Sequence, residues 1–250
     1  MKKLFVLFLL SSATYYTQAQ EVEFKINVPL NKAYQQISVI KTDVEGEQSL
    51  IMDMNIKGTI SGTKKEAGNY FFESITDAIR MDMDAGMMTM SYDSENPSDD
   101  EMSKMLGAEL GKLVGKKTLM TMSDKGKLLK LKMPEGVSEQ ASGSMESMGM
   151  TASYPDRAVK PGDTWDSEAT TDKVVVKSSN KYVEKNADGY IIESTGDVLS
   201  LDGQKVGTFV STYTLDADTH FTKKAIMKMN MDAEGQKVSM DYNITVSPKN

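Results

Sequence analysis

Cysteine is absent from all 250 residues. That excludes disulfides, thiol catalysis and Cys-ligated zinc. It also excludes a lipid-modified N-terminal cysteine. Histidine occurs once, at His220, and tryptophan once, at Trp165. No P-loop, dinucleotide fingerprint, His-rich zinc motif or nucleophile-elbow sequence is present. Basic residues form no stripe and the net charge is −7, which points away from nucleic acid as a partner. The apolar run Leu4 to Leu10 is too short to span a bilayer, and no later stretch is longer. Aromatics are sparse, at 7%.

Methionine is abundant instead, with 20 copies. The stretch from Ile79 to Tyr92 shows how they are used. Ile79, Met81 and Met83 alternate with Arg80, Asp82 and Asp84; Asp84-Ala85-Gly86 offers a turn; Met88, Met90 and Tyr92 alternate with Thr89 and Ser91. Strand side chains point to opposite faces with period two, so this reads as a hairpin with one methionine-rich face. Methionine is flexible and polarizable, and it is over-used at adaptable binding surfaces.

The N-terminus carries Lys2 and Lys3, an apolar run, and Thr17-Gln18-Ala19 in the order of a cleaved signal peptide. The expectation is a leader over residues 1–19 and a soluble periplasmic or secreted mature chain. Its length suits one large β domain or two small ones. The predicted organisation is a β unit over 20–133, a linker or flap over 134–163, and a second β unit over 164–250 packed on the first.

Alternation recurs along the chain. Glu21 to Val28 reads as the first strand, followed by Ala33–Thr42, a strand with Leu50, Met52, Met54 and Ile56 on one face, and Tyr70–Ile75 leading into the hairpin. Further strands fall at Met120–Met122, Leu129–Met133, Lys173–Glu184, Gly189–Val198, Lys205–Leu215, Phe221–Met231 and Gln236–Ser247. One amphipathic helix is expected over 98–114. Ser98-Asp99-Asp100-Glu101 reads as its capping box, and Met102, Met105, Leu106, Leu110, Leu113 and Val114 form its apolar stripe. Ser138 to Thr151, rich in Ser, Gly and Met, reads as a linker or mobile flap. Pro161-Gly162 fits a type II turn before Trp165, which reads as a core plug at a sheet end. Lys65, Ala67, Tyr70, Glu73, Ser74, Asp77 and Asp82 recur 120 residues later as Lys185, Ala187, Tyr190, Glu193, Ser194, Asp197 and Asp202. Two similar halves are one source of that match; shared strand-and-turn composition is the other.

Catalytic signals are weak. His220 sits in an acidic turn, Asp216-Ala217-Asp218-Thr219-His220. The run Asp93, Glu95, Asp99, Asp100 and Glu101 lacks the spacing and glycine of an EF-hand loop and reads as a solvated helix start. The methionine faces carry three readings. They pack a core; they line a cavity for a lipid, acyl chain or apolar peptide; or their soft thioethers hold Cu(I) outside the cytoplasm.

Several short motifs together carry a resemblance: Met81-Asp82-Met83 running into Ser91-Tyr92-Asp93-Ser94, then Met122-Ser123-Asp124-Lys125-Gly126, then Tyr154-Pro155-Asp156 followed by Val159-Lys160-Pro161-Gly162-Asp163-Thr164-Trp165. They resemble an uncharacterised family of exported Bacteroidota proteins known only as a domain of unknown function. The resemblance implies no activity and no catalytic residues. Many members look like lipoproteins, and this chain departs from them in having no cysteine. The order of elements also resembles periplasmic lipoprotein carriers, in which helices lie against a long curved antiparallel sheet; fold alone does not fix function.

The expected fold is therefore mainly β: about a dozen antiparallel strands in curved sheets or half-barrels, two similar halves and one helix. The expected function is a periplasmic binding or carrier-like protein, not an enzyme and without a cofactor, for a lipid or other apolar ligand. Met81, Met83, Met88, Met90, Met102 and Met105 are the candidate lining residues. A Cu(I)-binding protein and an envelope structural or interaction module with an envelope protein as partner are the alternatives.

Overall fold

The computed structural model describes residues 21–46, 49–86, 88–137, 152–170, 174–233 and 235–249. The leader expected at 1–19 and the flap expected at Ser138 to Thr151 lie outside them. The strands are β1 (Ala33–Glu45), β2 (Leu50–Glu66), β3 (Asn69–Asp84), β4 (Thr89–Asp93), β5 (Lys117–Ser123), β6 (Leu128–Lys132), β7 (Thr164–Thr170), β8 (Val174–Asn186), β9 (Gly189–Ser200), β10 (Lys205–Leu215), β11 (Thr222–Ala233) and β12 (Gln236–Pro248). All twelve form one open antiparallel sheet in the order β6-β5-β3-β2-β1-β12-β11-β10-β9-β8-β7. β3 has two neighbours on its other side: β5 pairs with Asn69–Ile75 and β4 with Arg80–Asp84. The chain halves meet where β1 pairs with β12.

Residues opposite each other in such a ladder share a face, so the register converts alternation into rows. One row runs Phe209, Met229, Met240, Thr42, Met52, Met83, Met90. The next runs Ser211, Met227, Tyr242, Ile40, Met54, Met81, Tyr92. On the opposite face, between these rows, lie Lys228, Asp241, Lys41, Asp53 and Asp82. The Lys41–Asp53 and Lys228–Asp241 pairs are 3.6 and 3.7 Å long and solvated, so each stabilises by no more than about 1 kcal/mol.

The 120-residue repeat is a repeat of hairpin geometry. β2 and β3 turn through Ala67-Gly68 between paired Glu66 and Asn69; β8 and β9 turn through Ala187-Asp188 between paired Asn186 and Gly189. The ladder shifts register at the same place in both, between Gly62 and Lys64 and between Tyr182 and Glu184. Lys65 sits 4.5 Å over the Tyr70 ring and Lys185 sits 4.8 Å over Tyr190. The likeness extends upstream. Asn31 before β1 and Gly162 before β7 both have left-handed φ, and their N–H groups donate to the carbonyls of Gly62 and Tyr182, each at 2.7 Å.

Two sequence expectations are corrected here. Residues 21–28 are not a strand of the sheet. Their alternation is real, since Phe24, Ile26 and Val28 are buried. The backbone, however, bonds to separate loops rather than to one ladder. Val22 exchanges hydrogen bonds with Val159, Ile26 N–H donates to Asp124 O, and Asn27 N–H donates to Thr219 O. The segment is a stopper that reaches the β5–β6 and β10–β11 turns. Phe24 meets the edges of Tyr182 and Tyr190 at 5.3 Å. The helix, α1 (Glu101–Leu110), is shorter than 98–114. Asp100 is its N-cap, accepting the Ser103 N–H at 2.8 Å, while the Ser98 hydroxyl donates to the same carboxylate. The α-helix ends at Leu110 and the chain continues in tighter turns, with Leu113 N–H on Leu110 O; Gly107 and Gly111 are weak helix formers.

Candidate functional site

The stopper, Tyr154, Val159 and the aromatic ends of the strands fill one end of the curved sheet. Farther along the inner face a cavity of about 570 Å³ remains, within the roughly 300–1,000 Å³ usual for small-ligand sites. Its floor includes Ile40, Met52, Met54, Met227, Met229 and Met240 from the middle of the sheet. Met120, Met122, Leu128 and Leu131 of β5 and β6 form one flank, joined by Leu110 and Leu113. The other flank comes from β7, β8 and β9, so the sheet curls far enough for both edge strands to border one space.

That second flank is polar. Asn180 Nδ2 donates to Ser167 Oγ at 3.0 Å and to Trp165 O at 3.2 Å. Ser194 Oγ donates to Asn180 Oδ1 at 2.6 Å, and the Ser167 and Ser178 hydroxyls lie 2.7 Å apart. Trp165, half-buried at the start of β7, donates its Nε1–H to Ser153 O at 2.8 Å. The lining includes two charged residues, Lys127 and Glu168, and both are exposed. Burial pushes the Tyr213 and Tyr242 phenols up, so both stay neutral.

A model described as a family of unknown function (DUF6263) matches residues 67–149, which run from the β2–β3 turn through α1 and β6. No protein of curated function matches the chain. Among solved structures, lipovitellin, described for its lipid–protein interactions, aligns with a TM-score of 0.57 at 11% identity over 90% of this chain. The chain spans 26% of lipovitellin's length, and the likeness is one of fold. An outer membrane lipoprotein-sorting protein domain from Vibrio parahaemolyticus aligns at 10% identity over 85% of each chain, with a TM-score of 0.26. A DUF1329 family protein from Desulfovibrio piger aligns at 9% identity over 87% of this chain and 86% of its own, also with a TM-score of 0.26. The last two superpose too loosely to bear on the fold. None of the three is described as an enzyme.

None of the six methionines singled out from the sequence is in the wall of this cavity. Met81 is buried between Met54 and Tyr92, and Met83 lies between Met52 and Met90, so three of the six continue the cavity's methionine rows by one or two strands. Met88 is 50% exposed in the β3–β4 turn and Met105 is 66% exposed on α1; Met102 is part-buried on the same helix. The helix packs on β4: Ser103 Oγ donates to Ser91 O, and a Cβ at Gly107 would stand 3.1 Å from the Tyr92 ring.

His220 serves packing. Its backbone is left-handed, its ring lies 5.4 Å from Phe24 and 5.2 Å from Tyr190, and burial lowers its pKa below the ordinary value. In the acidic run, Asp93 accepts from the N–H groups of Glu95 and Asn96, and Glu95 pairs with Lys57 at 2.8 Å. No group of three or more His, Cys, Asp or Glu among the described residues is placed to hold a metal ion. No helix among them is long and apolar enough to cross a membrane.

Proposed function

We propose that the chain is a binding or carrier-like protein for an apolar ligand, a lipid or acyl chain, working in the periplasm after loss of residues 1–19. The β units at 20–133 and 164–250 each supply one flank of the site. The observation that carries this reading is the 570 Å³ cavity on the inner face, floored by methionine and isoleucine and bordered by both edge strands. Thioether side chains adapt to irregular apolar shapes, which suits a chain-like ligand. The lipid-binding lipovitellin fold accords with it. The test is native mass spectrometry of the mature protein isolated gently from its envelope fraction, with organic extraction of what dissociates. A stoichiometric lipid, lost when Met227 and Met229 are both replaced by tryptophan to fill the cavity, is the expected result. A bare chain that also fails to take up an added acyl probe overturns the proposal.

One observation favours a second reading. The register sets Met52, Met83 and Met90 side by side and Met54 and Met81 in the adjoining row, which gathers five thioethers of the kind that suit Cu(I). Titration with Ag(I), a redox-stable stand-in, separates the two. One tightly held ion, lost in Met83→Leu, supports the metal; uptake unchanged by that substitution rejects it. Co-isolation of an envelope protein with neither lipid nor metal would instead support an interaction module.

A further inference from the structure

We propose that the cavity selects an apolar chain ending in a neutral, hydrogen-bonding head group, such as a glycerol ester, and rejects the same chain ending in a carboxylate or phosphate. This rests on the apolar-ligand reading above. Its basis is an inconsistency of parity on β8. Val176, Ser178, Asn180 and Tyr182 share the inner face, yet the middle two are polar where the flanking pair is not. Their register partners on β7 and β9 add Ser167 and Ser194. Small polar groups thus replace apolar ones at one patch of an otherwise methionine-rich wall.

These groups are linked but not used up. Asn180, 2% exposed, spends both amide protons and accepts from Ser194. Ser194, 3% exposed, donates its proton there and keeps its lone pairs. The Ser167–Ser178 pair has two hydroxyl protons and one short mutual bond. The second proton has only a long contact, 3.4 Å from Ser178 Oγ to Ser167 O. The seam therefore offers one donor and several acceptors, which matches hydroxyls and esters.

Charge is what the seam cannot match. Lys127 and Glu168, the charged residues of the described lining, are solvent-exposed, and the tyrosines in the wall stay neutral. A carboxylate or phosphate drawn in beside Asn180 would be buried with no buried cation beside it among the described residues, and an unpaired buried charge is strongly disfavoured. A neutral head group exchanges water for serine hydroxyls at little loss.

The experiment titrates the mature protein at pH 7.5 with 1-monododecanoylglycerol and, separately, with dodecyl phosphate, both below their micellar concentrations. Binding is followed by Trp165 fluorescence and by native mass spectrometry. The expected result is at least tenfold tighter binding of the glycerol ester. Ser178→Ala should weaken binding of the glycerol ester severalfold and Asn180→Leu should weaken it further, with circular dichroism confirming that each variant is folded. Should Asn180→Leu not fold, Ser178→Ala decides alone. Equal or tighter binding of dodecyl phosphate overturns the head-group assignment while leaving the apolar cavity in place. Glycerol-ester binding unchanged in Ser178→Ala also overturns it. Binding of neither probe removes the apolar-ligand reading itself.

Discussion

The β2–β3 and β8–β9 hairpins begin alike and part at one residue. Their turns, first register shifts and lysine-over-tyrosine contacts coincide, down to the pairs Gly58–Thr76 and Ser178–Gly196, which occupy the same place in each ladder. Beyond that pair β8 and β9 continue in step. β3 instead inserts Asp77, so Lys57 pairs with Ala78. One extra residue moves every following side chain to the other face. That is why Ile79, Met81 and Met83 point inward while Arg80 and Asp82 face water. The lesson is that a single bulge distinguishes the hairpin that carries β4 and α1 from its counterpart at β8–β9.

Enlarging the difference should have the largest effect. One further residue inserted between Asp77 and Ala78 sets Arg80 opposite Met54 and Asp82 opposite Met52, turning both inward. Buried unpaired charges cost several kcal/mol each, so we expect no cooperative melting transition; a variant that melts within a few degrees of the parent would contradict the bulge's role. The second prediction uses the matched pair. A Cβ at Gly196 would stand 2.0 Å from Lys177 O and 2.7 Å from Phe209 Cε1. Gly196→Ala should therefore destabilise by about 2–4 kcal/mol in urea unfolding, in the range of severe overpacking, whereas Thr76→Ala at the equivalent place should lose far less.

The third prediction is an asymmetry with pH. Tyr190 packs against His220, while Tyr70 stacks on Phe72. Asp216 and Asp218 face the imidazole and favour its charged form; Lys185 opposes it, and burial, the largest influence, depresses the pKa. The unfolded chain then takes up a proton first, at about pH 6.5, so stability falls as pH drops through that value and toward the folded pKa. Amide protection factors in β8–β9 should fall between pH 7 and 5 before those in β2–β3. His220→Asn, which tolerates the left-handed backbone, should flatten the dependence. The smallest effect tests the shared contact. Lys65→Met and Lys185→Met should each lower stability by about 0.5–1 kcal/mol, and by similar amounts; a clear inequality would show that the two contacts are not equivalent.

Most of the architecture was readable because period-two alternation maps directly onto a half-buried antiparallel ladder. Even the 120-residue match at Lys65, Tyr70, Lys185 and Tyr190 marked a true equivalence of position. Alternation could not say what an extended segment pairs with, so Phe24, Ile26 and Val28 read as a strand when they close an end. The cavity was harder. Local pattern picked Met88 and Met105 because they sit near other methionines in sequence, whereas β11 and β12 bring Met229 and Met240 to the floor from the far end of the chain. The seam did leave a trace: Ser178 and Asn180 fall on the parity of Val176 and Tyr182, and polar residues on an apolar parity are the signal that was available.

The β1–β12 ladder has a consequence for how this molecule comes into being. Tyr34 lies opposite Pro248, so the strand made first waits for the strand made last. Closing a loop of roughly 200 residues rather than roughly 20 adds about 2 kcal/mol of entropy to that step, and so non-local a topology belongs with folding times of about milliseconds to seconds. Until β12 arrives, one edge of β1 offers its backbone to any passing strand. The central seam of the finished sheet is thus its most vulnerable edge while the chain is still being assembled.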